Sequence, residues 1–264
     1  MFHKFQNSLI NLNYKKYGEG EPLIILHGFL GSLDNWNTLA TEWGKTGFEV
    51  YALDMRNHGR SPHTSEHTIS LMVEDVRDFI SIHKIKKINL LGHSMGGKIA
   101  MKFSLDFPDT VEKLIVADIS PKEYKRGHDE VFKAIFNLDL QKVKSRKDAV
   151  ELMKKDLPDE STLQFILKNL ERNDDGSYSW KFNIDVLYKN YDEMINGIIS
   201  EKKFTGKTLF LRGGKSNYIH ENDSELIHQF FPNAIIKTIE NAGHWVHAEK
   251  SDEFSEVVLS FLKS

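Results

Sequence analysis

The feature that most constrains the fold is a regular alternation of short apolar runs with amphipathic segments. The apolar runs are residues 22–28, 48–54, 87–94, 113–120 and 208–214. Runs of this kind are typical of parallel strands that are buried on both faces. The intervening segments place apolar residues at helical spacing, as Met72, Val73, Val76 and Phe79 show. The alternation predicts an α/β fold with a mostly parallel central sheet flanked by helices.

This alternation is interrupted between Ser120 and residue 207. Residues 121–206 show no convincing strand pattern, but they contain several helical ones and many aromatic side chains. They are predicted to form a helical subdomain, which would roof a cleft if it lay above the carboxyl ends of the strands. At the other end of the chain, partial alternation in residues 2–17 predicts an antiparallel hairpin on the sheet edge.

The composition excludes several classes of protein. With 35 basic and 38 acidic residues the net charge is −3, so no excess of positive charge is available for nucleic acid. The absence of cysteine rules out disulfides, thiolate metal sites and a cysteine nucleophile. There is no secretory signal pattern and no apolar run near the ~20 residues of a membrane span. We expect a cytoplasmic protein that needs neither a metal ion nor a cofactor.

The clearest chemical motif is Gly-His-Ser-Met-Gly at residues 92–96, which matches G-x-S-x-G. It follows an apolar run and precedes a helical pattern that ends before Pro108, so it predicts a strand–turn–helix elbow. The two glycines are required because the chain passes too close to itself for a Cβ atom. The helix N-terminus would direct its amides at an anion formed beside Ser94. Ser94 is therefore the candidate nucleophile.

A serine nucleophile needs a base and an acid that orients the base. His244 follows the apolar run at 234–239, at the carboxyl end of a predicted strand; His247, three residues later, is the alternative, which we interpret as a packing residue. For the acid, Asp118 ends the strand after the serine helix and gives the order serine, acid, histidine. Asp54 is the competitor, interpreted as a structural residue that holds its own loop.

An oxyanion needs two backbone donors. The amide after the nucleophile, Met95, supplies one. The loop that begins at His27, after the first buried strand, is expected to supply the other through Phe29. His27 is expected to brace this loop, and His93 to form part of the pocket wall.

These motifs resemble the α/β-hydrolases, and most closely the small bacterial esterases of the YbfF type. The matching stretches are residues 27–36, 54–62, 92–98 and 242–250. The resemblance implies an α/β-hydrolase core formed by residues 1–120 and 207–264. It also implies that residues 121–206 are a helical cap, inserted after the sixth strand when the predicted hairpin is counted as two.

One departure from the wider superfamily concerns the acid. In the wider superfamily the aspartate is the last residue of a Gly-x-x-Asp motif after the strand that follows the cap. In this chain the corresponding residues are 213–216, and the last of them is Ser216. The YbfF-type esterases are similar in lacking that aspartate and in using one that corresponds to Asp118. Asp223, further along, is a third candidate, expected at the start of a helix.

The sequence thus predicts a carboxylesterase-type serine hydrolase with the triad Ser94, Asp118 and His244. Its substrates would be small-molecule esters of short- to medium-chain acids, with thioesters as a further class. The expected pocket wall comprises Leu30, His93, Trp180, Tyr188 and Trp245. Two alternatives stay open: a receptor-like hydrolase that mainly binds its ligand, and a cofactor-free perhydrolase or C–C hydrolase.

Overall fold

The computed structural model describes residues 10–264, and a seven-stranded sheet forms its centre. Together with the two strands of a separate hairpin, the strands of the described chain are β1 (Tyr14–Tyr17), β2 (Glu21–Leu26), β3 (Phe48–Leu53), β4 (Ile88–His93), β5 (Val111–Ala117), β6 (Leu170–Arg172), β7 (Tyr178–Trp180), β8 (Lys207–Gly213) and β9 (Ala234–Ile239). The order across the main sheet is β1-β3-β2-β4-β5-β8-β9, and only β1 runs antiparallel to its neighbour. The predicted α/β fold with a mostly parallel sheet is confirmed.

Helices cover both faces of this sheet. The helices of the described chain are α1 (Asn37–Gly44), α2 (Ile69–Ile82), α3 (Met95–Asp106), α4 (Asp129–Asn137), α5 (Arg146–Met153), α6 (Glu160–Leu167), α7 (Ile184–Lys189), α8 (Tyr191–Ile195), α9 (Ser224–Phe230), α10 (Val246–Glu249) and α11 (Ser251–Leu262). One face is covered by α1 and α11, which bury Trp43 and Phe254, and the other by α2, α3 and α9. The apolar stripe predicted for α2 is buried, as Met72 and Val76 show.

The segment between β5 and β8 contains helices α4 to α8 and also a short hairpin. Strands β6 and β7 pair antiparallel, with Leu170 opposite Trp180. The expectation that residues 121–206 hold no strand was therefore wrong, because strands of three residues leave almost no alternation to detect. The segment contacts the loops of the sheet: the Asn169 side chain donates to Leu30 O (2.9 Å), and Asn183 N to Asn57 O (2.9 Å).

The amino-terminal hairpin prediction is only partly covered by the structure. Strand β1 lies on the sheet edge and pairs antiparallel with β3, as expected, but residues 1–9 lie outside the described residues. Five described strands precede the segment at 121–206, against the six counted from the sequence. Within residues 10–264, no helix has the length and apolar character that crossing a bilayer requires.

The parallel strands bring the predicted chemistry to one edge of the sheet. Since β4, β5 and β9 all run in the same direction, the residues that follow them emerge side by side. Ser94 follows β4, Asp118 follows β5, and His244 comes a few residues after β9. This edge is where α/β sheets bind their ligands.

Candidate active site

Ser94 occupies a strained turn between β4 and α3. Its φ and ψ are 53° and −117°, a left-handed conformation that is unfavourable for a residue with a side chain. The turn is tight enough that a Cβ atom on Gly92 would lie 2.1 Å from Gly96 O, and one on Gly96 would lie 2.2 Å from Leu26 O. The elbow predicted from G-x-S-x-G is thus the local structure, and it places Ser94 in the wall of two cavities.

Two backbone amides near Ser94 are free to bind an anion. Among residues 10–264, the amides of Phe29 and Met95 have no hydrogen-bond partner. Those beside them do, because Leu30 N donates to His58 Nε2 (3.2 Å) and Ser94 N donates to Ala117 O (3.0 Å). The pair predicted from the sequence as oxyanion donors therefore lines the cavity beside Ser94 with its amides uncommitted.

His244 is held by a buried carboxylate. Its Nδ1 donates to Oδ2 of Asp118 (2.8 Å), which is fully buried and has a φ of 50°. The other carboxylate oxygen accepts from Gly213 N (2.9 Å). Oδ2 also accepts a hydrogen bond from the Ser216 hydroxyl, so the serine that replaces the usual acid instead contacts the carboxylate. These donors hold Asp118 in one orientation toward the imidazole.

Two aromatic rings further restrict His244. Tyr218 stacks on the imidazole with ring centroids 3.8 Å apart and planes 16° apart. His93 Nε2 donates to the carbonyl oxygen of His244 (2.8 Å). Burial lowers the pKa of His93 well below its ordinary value, so this ring is neutral at pH 7. His93 thus holds the His244 loop as well as lining the pocket.

Ser94 and His244 line the same cavity. No hydrogen bond joins the Ser94 hydroxyl to His244 in the described part of the chain. Contacts of this kind are often long without substrate and tighten in the complex. The arrangement is compatible with proton transfer from the serine to the imidazole once a substrate excludes water from the cavity.

The loop that carries Phe29 is braced by buried polar side chains. His27 Nε2 accepts from Met55 N (3.0 Å), which links the loops after β2 and β3 as the bracing hypothesis predicts. Asp54 accepts from Leu33 N (2.8 Å) and Arg60 N (2.9 Å), which fits its interpretation as a loop residue. Burial lowers the pKa of His27, so this brace is an uncharged imidazole.

Three of the five predicted pocket residues line the cavities and two do not. Leu30, His93 and Trp245 line the cavity that contains His244. Trp180 lines neither cavity and stacks on Phe182 instead, with centroids 5.0 Å apart. Tyr188 also lines neither cavity and is 47% exposed. Trp180, on β7, and Tyr188, on α7, thus lie outside the cavity walls, because aromatic composition does not reveal which way a strand or a helix turns its side chains.

The alternative histidine and acid have other contacts. His247 stacks on Trp36 with centroids 4.3 Å apart, as expected of a packing residue. Asp223 lies at the start of α9 as predicted. Its carboxylate accepts from His220 N (2.8 Å) and pairs with Lys122, so it makes no capping bond to α9.

Sequence reasoning missed His128 and Tyr218, which line both cavities beside Ser94. The Tyr191 hydroxyl and Nδ1 of His128 are hydrogen-bonded (2.5 Å), and burial lowers the His128 pKa to about 4, so the ring is neutral. Burial also raises the pKa of Tyr218 to about 12. Neither residue belongs to a recognisable motif, although both follow strands of the sheet at its carboxyl edge.

The family model described as alpha/beta hydrolase fold matches residues 21–251. The chain belongs to the α/β-hydrolase family. It is 35% identical to Esterase YbfF of Escherichia coli, over 91% of this chain and 92% of that protein. It is 36% identical to the sn-1-specific diacylglycerol lipase ABHD11 of Mus musculus, over 91% of this chain and 80% of that protein.

Among solved structures, the chain is similar to one titled marine microorganism esterase, with a TM-score of 0.93 and 42% identity. The match covers 96% of this chain and 99% of that one. The resemblance predicted from the motifs and the class predicted from the sequence, a carboxylesterase-type hydrolase, are both confirmed by these matches.

Proposed function

We propose that the protein hydrolyses carboxylic esters of short- to medium-chain acids through an acyl-enzyme on Ser94. The observation that carries the proposal is the contact of 2.8 Å between His244 Nδ1 and the buried carboxylate of Asp118, beside a serine on a strained elbow. With Nδ1 donating, a neutral imidazole leaves Nε2 unprotonated. That nitrogen is the base that a serine nucleophile needs.

In the first half of the reaction, Nε2 of His244 takes the hydroxyl proton of Ser94 as Oγ attacks the ester carbonyl. The carbonyl oxygen becomes an anion, and the amides of Phe29 and Met95 donate to it. Asp118 stabilises the imidazolium without taking its proton. His244 then protonates the departing alcohol oxygen, the C–O bond breaks, and the acyl group stays on Ser94. In the second half, His244 takes a proton from water as the water oxygen attacks the acyl carbon. The bond between that carbon and Ser94 Oγ then breaks, His244 returns the proton to Oγ, and the acid is released.

We also propose that residues 121–206 act as a cap on a core formed by residues 1–120 and 207–264. The hydrogen bonds from Asn169 to Leu30 O and from Asn183 to Asn57 O support this, because they join the segment to loops at the carboxyl edge of the sheet. The segment also provides walls of both cavities, including Val131 and Met194. A cap placed there would exclude water from Ser94 during the reaction.

The test is Ser94→Ala, assayed with p-nitrophenyl butyrate and by labelling with a fluorophosphonate probe. We expect both multiple turnover and labelling to be lost, because no other group at the elbow could attack. Ser104→Ala is the matched control: Ser104 is a buried serine on α3, the helix that begins after Ser94, and its hydroxyl donates to Ala100 O (2.8 Å), so this variant should retain both.

Turnover that survives in Ser94→Ala would reject the serine mechanism. Labelling of the wild type without multiple turnover of any ester would instead favour the ligand-binding alternative. An acyl panel that includes thioesters and diacylglycerols would then define the substrate class.

A further inference from the structure

Two cavities of similar size share Ser94 in their walls. The first, of 220 Å³, is lined by Met95, Ile119, Met194 and Ile195, and we call it the Met194 cavity. The second, of 240 Å³, is lined by His244, Trp245, Phe165 and Ile166, and we call it the Trp245 cavity. Ser94, Phe29, His128 and Tyr218 border both. The nucleophile thus stands where the two cavities meet.

The proposed chemistry assigns each cavity to one half of the ester. The alcohol oxygen must leave with a proton from His244, and only the Trp245 cavity contains that side chain. The acyl chain extends from the same carbon in another direction, toward the cavity without the base. Building on the proposed function, we propose that the Met194 cavity binds the acyl chain and the Trp245 cavity binds the alcohol.

Two lysines, Lys98 and Lys125, line the Met194 cavity beside its apolar side chains, and Lys98 is held by the backbone. The ammonium of Lys98 donates to three backbone carbonyls, those of Lys122 (3.3 Å), Ile195 (3.1 Å) and Asn196. All three of its donors are therefore used, and none is available for a carboxylate on the substrate. Phe29, Ile119 and Met194 give this cavity an apolar surface that suits a hydrocarbon chain.

The size of the Met194 cavity sets a range for that chain. Its 220 Å³ is below the ~300–1,000 Å³ typical of sites for drug-sized ligands. Short- and medium-chain acyl groups fit this space, whereas a long fatty acyl chain would have to leave it.

The Trp245 cavity has walls that suit an apolar alcohol. The rings of Phe165 and Trp245 lie with centroids 5.4 Å apart and planes 36° apart, and both border the cavity. Val131 and Ile166 add aliphatic wall. An aromatic alcohol such as benzyl alcohol can pack against these rings at an offset or tilted angle.

The experiment narrows each cavity separately by replacing one half-buried wall residue with tryptophan. Both of the replaced residues lie outside the proposed triad. Ile195→Trp fills the Met194 cavity, and Thr162→Trp fills the Trp245 cavity. Each variant is assayed with two substrate series. One varies the acyl chain from acetate to octanoate on a constant p-nitrophenyl group, and the other compares ethyl with benzyl butyrate.

Ile195→Trp should lower the octanoate-to-acetate ratio of kcat/KM by at least ~10-fold, as expected for lost apolar space, and leave the benzyl-to-ethyl ratio unchanged. Thr162→Trp should lower the benzyl-to-ethyl ratio and leave the octanoate-to-acetate ratio unchanged. Should a tryptophan variant fail to fold, Met194→Ala and Ile166→Ala enlarge the same cavities and must raise the corresponding ratio instead.

Exchanged effects, in which Ile195→Trp changes only the alcohol ratio, would overturn the assignment while leaving the esterase mechanism intact. Equal changes of both ratios in each variant would likewise overturn it, because they indicate a single undivided pocket. An absence of Ser94-dependent ester hydrolysis in the wild type would reject the proposed function itself, and the assignment with it.

Discussion

Asp118→Asn is the most informative single change, because it keeps the shape of the side chain and alters only its hydrogen bonding. In the wild type, one carboxylate oxygen accepts from Gly213 N and the other from His244 Nδ1 and Ser216. An asparagine whose oxygen keeps the Gly213 bond must turn its NH2 group toward His244. The imidazole then accepts at Nδ1 and carries its proton on Nε2, where it cannot take the proton of Ser94.

The reverse orientation of the asparagine amide, which would keep the active tautomer of His244, is unfavourable. It would place the NH2 group against the N–H of Gly213, and two buried donors facing each other without an acceptor cost ~1–3 kcal/mol. The wrong tautomer is therefore the expected outcome. In serine hydrolases this tautomer lowers kcat by ~10⁴-fold, which corresponds to about 5 kcal/mol of activation free energy. KM should change little, because Asp118 lines neither cavity.

The assay is the steady-state hydrolysis of p-nitrophenyl butyrate, with thermal unfolding followed by circular dichroism to verify the fold. Asp223→Asn is the matched control, since this carboxylate pairs with Lys122 and accepts from His220 N without contacting His244. It should keep near-normal activity. A folded Asp118→Asn variant with near-normal kcat would refute the assignment of the acid, and loss of activity in Asp223→Asn would transfer that role to Asp223.

Two further predictions concern stability. Lys98→Met should lower the melting temperature, because the carbonyls of Lys122 and Asn196 lose this donor at ~1–3 kcal/mol for each group left unsatisfied, while Ile195 O keeps its hydrogen bond from Tyr124 N (2.9 Å). Lys102→Met, one turn along α3, removes only a partly exposed ion pair and should cost ~0–1 kcal/mol; equal losses in both variants would contradict the reasoning. Burial lowers the pKa of His67 to about 3, and neither of its ring nitrogens has a hydrogen-bond partner in the described chain. Between pH 6.5 and 3 this histidine is therefore protonated more in the unfolded state than in the folded state. Stability should fall as pH drops through that window, and His67→Phe should flatten this dependence in melting experiments from pH 7 to 4; an unchanged slope would show that other groups cause it.

The sequence predicts most of the sheet and the elbow because their causes are local. A parallel strand buried on both faces needs a continuous apolar run, and each such run from residue 22 onward became a strand. The elbow needs glycines at fixed distances from Ser94, since a Cβ atom there would collide with the backbone. Asp54 and His27 could be interpreted as loop residues because they directly follow strands and so emerge at the same edge.

What the sequence could not show depends on contacts between distant parts of the chain. The orientation of Trp180 and Tyr188 is set by how α7 and the β6–β7 hairpin pack, which no spacing rule encodes. The same holds for Lys98, a charged residue that would be expected at the surface and is instead buried. Its carbonyl partners lie 24 to 98 residues away in the chain, so no local sequence pattern predicts them.

The position of the proposed acid follows from the geometry of neighbouring strands. Strands β5 and β8 are adjacent and parallel, with Ala117 opposite Leu211, so the residues that follow them lie beside each other. His244 needs only one carboxylate at this place, and either strand end can supply it. Here Asp118 reaches it from β5 through a left-handed turn. The hydroxyl of Ser216, on the loop after β8, donates to that carboxylate, whereas an aspartate there would set a second negative charge against the buried one of Asp118. Ser216→Asp should therefore raise the pKa of the carboxylate pair and weaken catalysis, although it restores the residue usual in the wider superfamily. Higher activity in Ser216→Asp would contradict this reasoning, because it would show that a second carboxylate beside Asp118 does not disturb the imidazole.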